Sequence, residues 1–213
     1  MSKESRARMV RSAASLIRTR GMTATSFSEV IEASGAPRGS IYHHFPQGKD
    51  QLAEDAIKWT SDRVLAHQRE CPATTPQGVL DWFIDMWRQT VVASGGAAGC
   101  VVAGVAVDTM PDAEALMGVV RATFQSWVDL LAEQLVATGV PSDRARPIAI
   151  ATLAGMEGAL ILCRSERSAR PLEAVASELK RLLPPSRPGS GTRRTPPAGR
   201  SPASARNASR HSR

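Results

Sequence analysis

Between Pro37 and His44 the chain places Arg38, Gly39, Ser40, Tyr42 and His43, a run of hydrogen-bond donors and small groups without a carboxylate. Arg grips guanine O6 and N7 with two hydrogen bonds, Ser reads donor or acceptor edges, and Gly lets a backbone approach a groove closely. Tyr42 and His43, with Lys49 just downstream, supply donors for phosphate oxygens. Such residue types at this spacing suit non-covalent reading of a duplex better than bond-making chemistry.

Local signals indicate what holds this run in place. Proline at position 37 suits the first turn of a short helix over 37–44, with Ile41 and Phe45 facing inward at i and i+4. Before it, Ser26 and Glu29 have capping-box spacing, and Phe27, Val30 and Ile31 make the apolar face of a helix over 26–34. Gly35-Ala36 is the tight turn between them, so the pair reads as a helix-turn-helix. A helix over 4–20 precedes it, with Met9, Val10, Ala13, Leu16 and Ile17 at helical steps and Gly21 as its stop.

Helical periodicity continues over 49–70, 76–92, 100–108, 112–138, 142–164 and 171–183, while no segment alternates with period two. The expectation is an all-α chain of about nine helices. Residues 1–48 form a helix-turn-helix unit, and 49–183 a helical domain for ligand and dimer contacts, joined to it by the 49–70 helix. Residues 184–213, rich in Pro, Ser, Gly and Arg, form a basic disordered tail.

The net charge of +7 is uneven. The tail carries seven Arg and no acid, residues 1–50 hold eight Lys or Arg against four Asp or Glu, and residues 51–183 hold twelve against sixteen. The front is basic and the body slightly acidic, as a DNA-contacting front requires. The tail either strengthens non-specific DNA binding through counterion release or is a solvated extension. Three cysteines (Cys71, Cys100, Cys163) with no CxxC pair, a charged N-terminus and no apolar stretch of bilayer length point to a reducing cytoplasm and no membrane. The histidines at 43, 44, 67 and 211 fall in no nucleophilic or metal-spaced arrangement, so no enzyme, cofactor or metal is expected.

The stretch from Thr25 to Phe45, ending Gly-Ser-Ile-Tyr-His-His-Phe and followed by Lys49 and Leu52, resembles the N-terminal motif of TetR-family regulators. The Ala-Pro-Arg-Gly opening and Gly-Cys-Val-Val-Ala at 99–103 are similar to its LmrA/YxaF-like branch. The resemblance implies that Thr25 and Ser26 contact phosphate, that Arg38, Gly39 and Ser40 face bases, and that Tyr42, His43 and Lys49 fix the register on a palindromic operator. Pro37 departs from the family's usual Ser or Thr and receives no role.

The resemblance also implies a homodimer and a small hydrophobic effector. Small residues at Ala151, Ala154, Gly155 and Gly158, with Leu172, Val175, Leu179 and Leu182, are the interface candidates for a four-helix bundle. Trp82, Phe83, Met86, Trp87, Cys100, Met110, Phe124, Trp127 and Met156 either line a pocket or form ordinary core. Glu157, in an apolar stretch, either meets a cationic ligand or pairs with an arginine such as Arg121 or Arg164. Two alternatives stay open: a thiol-based redox sensor that still binds DNA, and a helical partner-binding protein that does not.

Overall fold

The computed structural model describes residues 3–110 and 113–184. The tail expected over 184–213 lies outside the described residues, Pro184 excepted. Among the described residues every regular element is a helix: α1 (Lys3–Arg20), α2 (Phe27–Ser34), α3 (Ser40–His44), α4 (Lys49–Arg69), α5 (Pro76–Ala93), α6 (Val101–Asp108), α7 (Glu114–Ala137), α8 (Ser142–Glu166) and α9 (Arg170–Arg181).

The front unit closes because α1 offers one apolar face to both following helices. Met9, Val10, Ala13 and Ile17 are buried with Val30 of α2, Ile41 of α3 and Phe45. Ser26 caps α2 as expected: its Oγ accepts from the Glu29 N–H at 3.3 Å, while Glu29 Oε2 accepts from the Ser26 N–H at 2.9 Å. Arg20 pairs with Glu29 at 2.7 Å and Arg8 donates to the Ser34 carbonyl at 3.2 Å, tying α1 to both ends of α2.

Leu52, Ala53, Ala56 and Ile57 of α4 join this core, and α4 runs on into the rear domain. There Trp127 Nε1 of α7 donates to Ser61 Oγ at 3.2 Å, and Gln134 Nε2 donates to the Gln68 carbonyl at 2.7 Å. The rear core is aromatic where the front, Phe45 apart, is aliphatic: Phe83, Trp87, Phe124 and Trp127 meet edge-to-face, with centroids 5.7–6.2 Å apart. Thr75 caps α5, Pro76 stands in its first turn, and Arg88 of α5 pairs with Glu173 of α9.

A second connection joins the two regions. The Gly99 N–H donates to the Arg18 carbonyl at 2.7 Å, and Gly104 lies against the Ile17 carbonyl, where an added Cβ would come within 3.3 Å. At the far end of α6, Asp108 Oδ2 accepts from the Thr23 N–H at 3.0 Å. Helix α6 thus lies along α1 and holds the α1–α2 turn. Helix α8 is long and apolar enough to cross a membrane by length and composition, yet 44% of its apolar window is buried in this chain.

Candidate nucleic-acid interface

The expected recognition helix is shorter than its sequence pattern. Gly39 has φ +86°, outside helical space, so α3 starts at Ser40 and Pro37-Arg38-Gly39 form a turn. Arg38, Gly39, Tyr42 and His43 are exposed; Tyr42 retains 67% of its surface and rests its ring edge-to-face on Phe27 at 5.5 Å. Phe45 anchors the end of α3 in the core, with the Arg6 guanidinium 5.3 Å above its ring. Partial burial, and after it the His43 and Arg6 charges, depress the His44 pKa, which favours the neutral ring.

Two residues are corrected. Ser40 is 4% exposed, and its Oγ donates to the Pro37 carbonyl at 2.7 Å; it closes the turn and does not face bases. Thr25 is 2% exposed, and its Oγ1 donates to the Gly21 carbonyl at 2.7 Å, so its hydroxyl holds the α1–α2 turn and offers nothing to phosphate. Ser26 stays exposed, although its hydroxyl already donates to Glu29 Oε2 at 2.8 Å. Lys49 is half-buried and its Nζ donates to the Thr23 carbonyl at 3.0 Å, which places an ammonium with further donors beside the entry to α2.

Behind this face lie two cavities. The larger, of about 630 Å³, is walled by α1, α4, α5 and residues 98–101; of the expected pocket residues it takes Met86, Trp87 and Cys100. The smaller, of about 350 Å³, opens between α7 and α8 and takes Phe124 and Glu157. The remaining candidates are corrected. Phe83, Trp127 and Met156 are fully buried core. Trp82 stacks on His67 at 4.6 Å and donates to its carbonyl, so it staples α5 to α4. Met110 points outward, 69% exposed.

Glu157 has no arginine partner among the described residues; its neighbour is the Cys100 thiol, and its Oε1 is buried without a hydrogen bond. Burial pushes its carboxyl up to about 7. The expected pairing with Arg121 or Arg164 is therefore corrected. Burial, with the Glu157 charge, also pushes the Cys100 thiol up, and burial does the same to Cys163.

The interface candidates divide. Leu172 and Leu179 are buried inside the chain, and Gly155 lets α9 approach, with Val175 Cγ1 and Leu179 Cδ1 within 3.3 Å of where its Cβ would be. These residues, with Val175, cement α8 to α9, which corrects their placement between subunits. Ala151 is half-buried, whereas Ala154, Gly158 and Leu182 are exposed. They continue an apolar stripe with Ile161, which flanks these small residues in the sequence, and with Ile150 and Leu162, which the sequence reading missed, exposed by 49–70%. The signal was present as the spacing 150, 154, 158, 161.

Two family models match the chain: the bacterial regulatory proteins of the tetR family over residues 10–56, and the LmrA/YxaF-like transcriptional regulator C-terminal domain over 76–178. The chain is 40% identical over 183 residues to the HTH-type transcriptional regulator Rv0196 of Mycobacterium tuberculosis, covering 84% of this chain and 93% of that one. It is 27% identical over 182 residues to the HTH-type transcriptional regulator LmrA of Bacillus subtilis, covering 84% and 97%. Among solved structures, a TetR transcriptional regulator from Chloroflexus aurantiacus superposes with a TM-score of 0.70 at 27% identity, covering 84% and 93%. Cysteine variants of the TetR-family regulator CifR, solved with 26-base-pair operator DNA, share the fold at a TM-score of 0.68 and 18% identity, covering 84% and 96%.

Proposed function

Because the chain belongs to the TetR family of DNA-binding transcriptional regulators, with a C-terminal domain of the LmrA/YxaF kind, we propose that it is a cytoplasmic homodimeric repressor that a small hydrophobic molecule releases from a palindromic operator. The observation that carries this reading is the position of the larger cavity. Its walls include α1, which packs against α2 and α3, and α4, which packs along α1. A ligand there acts on the reading unit directly. It shifts the dimer only by its differential affinity for the two spacings of the recognition helices.

On the operator, Arg38 and Gly39 meet base edges, and Ser26, Tyr42, His43 and Lys49 meet phosphates. The α8 stripe supports dimer formation, with half-sites about 34–36 Å or a multiple apart. The thiol-based alternative comes down to Cys71, which is half-buried: the Cys100 and Cys163 thiols are buried and held protonated, whereas sensor thiols are exposed thiolates.

Fluorescence anisotropy on the promoter region adjoining the gene tests the reading, with the full chain and a chain ending at Pro184, at two salt concentrations. Tight binding of one palindromic site by both forms is expected. Sequence-blind binding that disappears with the tail would sink it. In sedimentation, the full chain should run as a dimer and Ile161→Asp as a monomer.

A further inference from the structure

We propose that the cavity between α1, α4 and α5 is a site for an organic anion, a carboxylate or sulfonate carried on a flat aromatic body; the proposal rests on the sensor reading above and names its ligand class.

The walls of this cavity are chemically one-sided. Arg11 and Arg18 come from α1 and Arg63 from α4, and its lining holds no Asp or Glu. Several arginines outside the cavity do find acids: Arg6 meets Asp55, Arg20 meets Glu29, Arg88 meets Glu173 and Asp85, and Arg146 meets Asp129. Arg11, Arg18 and Arg63 have no such partner among the described residues. Arg18 is half-buried, and desolvation lowers its pKa with no carboxylate to offset it. The buried Glu157 is not among the lining residues and interacts with the Cys100 thiol instead. A guanidinium withdrawn from water without a counter-ion is suited to an incoming oxyanion, which it holds with two parallel hydrogen bonds.

The other walls suit a flat body. Trp59 and Trp87 both line the cavity, with Met86 between them in chain order. The Arg63 guanidinium stacks over Trp59, 5.1 Å from its ring centroid, so charge and aromatic surface are already adjacent. Trp87 is 5% exposed, and its indole N–H is buried without an acceptor. His67, also on the wall, has a buried Nε2 without a hydrogen-bond partner, which seeks an acceptor in its Nε2–H tautomer. Buried donors are ordinarily satisfied, and an acidic ligand brings only acceptors. A volume of about 630 Å³ lies within the usual range for a small-molecule site. A cation would meet three unpaired guanidiniums, and a neutral molecule would leave them unpaired.

Two probes isolate the charge. 1-Anilinonaphthalene-8-sulfonate and N-phenyl-1-naphthylamine share an aromatic frame, and only the first carries a sulfonate. Fluorescence titration of the full chain should give at least ten-fold tighter binding of the sulfonate. Arg18→Gln should remove at least ten-fold of that affinity and leave the neutral probe unchanged. Arg63→Gln, at an exposed position that does not risk the fold, should shift affinity in the same sense by a smaller factor. Equal affinities for the two probes, or sulfonate binding indifferent to both substitutions, overturns the proposal. So does sulfonate binding that Ile161→Asp abolishes, since the probe then sits on the α8 stripe. Operator affinity measured without either probe decides the regulator reading separately: lost operator binding with Arg18-dependent probe binding overturns that reading and keeps the site.

Discussion

The front and rear of this chain solve packing differently. In α1–α3 the core is mostly aliphatic, and the polar groups at its turns are committed, Ser26 to Glu29, Thr25 to Gly21, Ser40 to Pro37 and Arg20 to Glu29, with His44 Nε2 the exception. In α5–α8 the core is aromatic and flanked by two cavities, and it retains one carboxylate oxygen of Glu157 and the Trp87 indole N–H without hydrogen bonds. A surface that must present Arg38 and Tyr42 in one geometry gains from a closed network. On the proposed reading, a region that accepts a ligand cannot be closed in its absence. The difference is one of how many polar groups are satisfied before a partner arrives.

The largest expected effect that sharpens this comparison is at Glu157. Its carboxyl titrates at about 7 against an ordinary value of 4.5, so the folded chain holds its proton more tightly than the unfolded chain. Stability contributed by this group is full below pH 4.5 and declines as pH rises to about 7, by roughly 3 kcal/mol in all. Glu157→Gln should flatten that decline and be the more stable form at pH 8. Thermal melts of both proteins from pH 4.5 to 8 measure it, and parallel curves would show that Glu157 is already satisfied, like the groups in front.

A smaller effect separates reading from positioning. Arg38→Ala should cost about 2 kcal/mol of operator affinity and relax preference at one base pair per half-site. Lys49→Ala should weaken all sequences alike and lower the salt slope by about one phosphate contact. Anisotropy over a panel of single-base operator variants distinguishes them, and an Arg38→Ala loss that is uniform over the panel breaks the assignment. The smallest effect is Ser26→Ala, which removes the α2 cap and should lower stability by about 1 kcal/mol in chemical denaturation. No change would mean that the front tolerates an open polar group as the rear does.

Legibility in the sequence follows the same division. Every helix was placed by periodicity and caps, most sharply α2, where Ser26 and Glu29 mark the start and Gly35 the end. The start of α3 was misplaced because Pro37 suits a first turn, while the left-handed Gly39 that forbids one leaves no periodic trace. Thr25 and Ser40 looked outward by residue type and turned inward because short hydroxyls close turns on nearby carbonyls. The larger cavity was only partly legible. Its arginines stand at 11, 18 and 63, on helices whose mutual approach no local pattern encodes. Met110 and Trp82 were grouped with pocket residues by side-chain chemistry, and three-dimensional direction separated them.

The seating of α6 on α1 limits how modular this regulator is. The two matched family segments, 10–56 and 76–178, leave between them a natural cut for exchanging one reader for another. Yet the Thr23 amide is held by Asp108 and the Arg18 carbonyl by Gly99, both from the second segment. A chimera cut between the segments inherits a reader whose α1–α2 turn was shaped by another protein's α6. Grafts that carry residues 99–108 along with the front should keep the Thr23 amide protected from hydrogen exchange. Grafts that omit them should expose it, with operator affinity declining alongside.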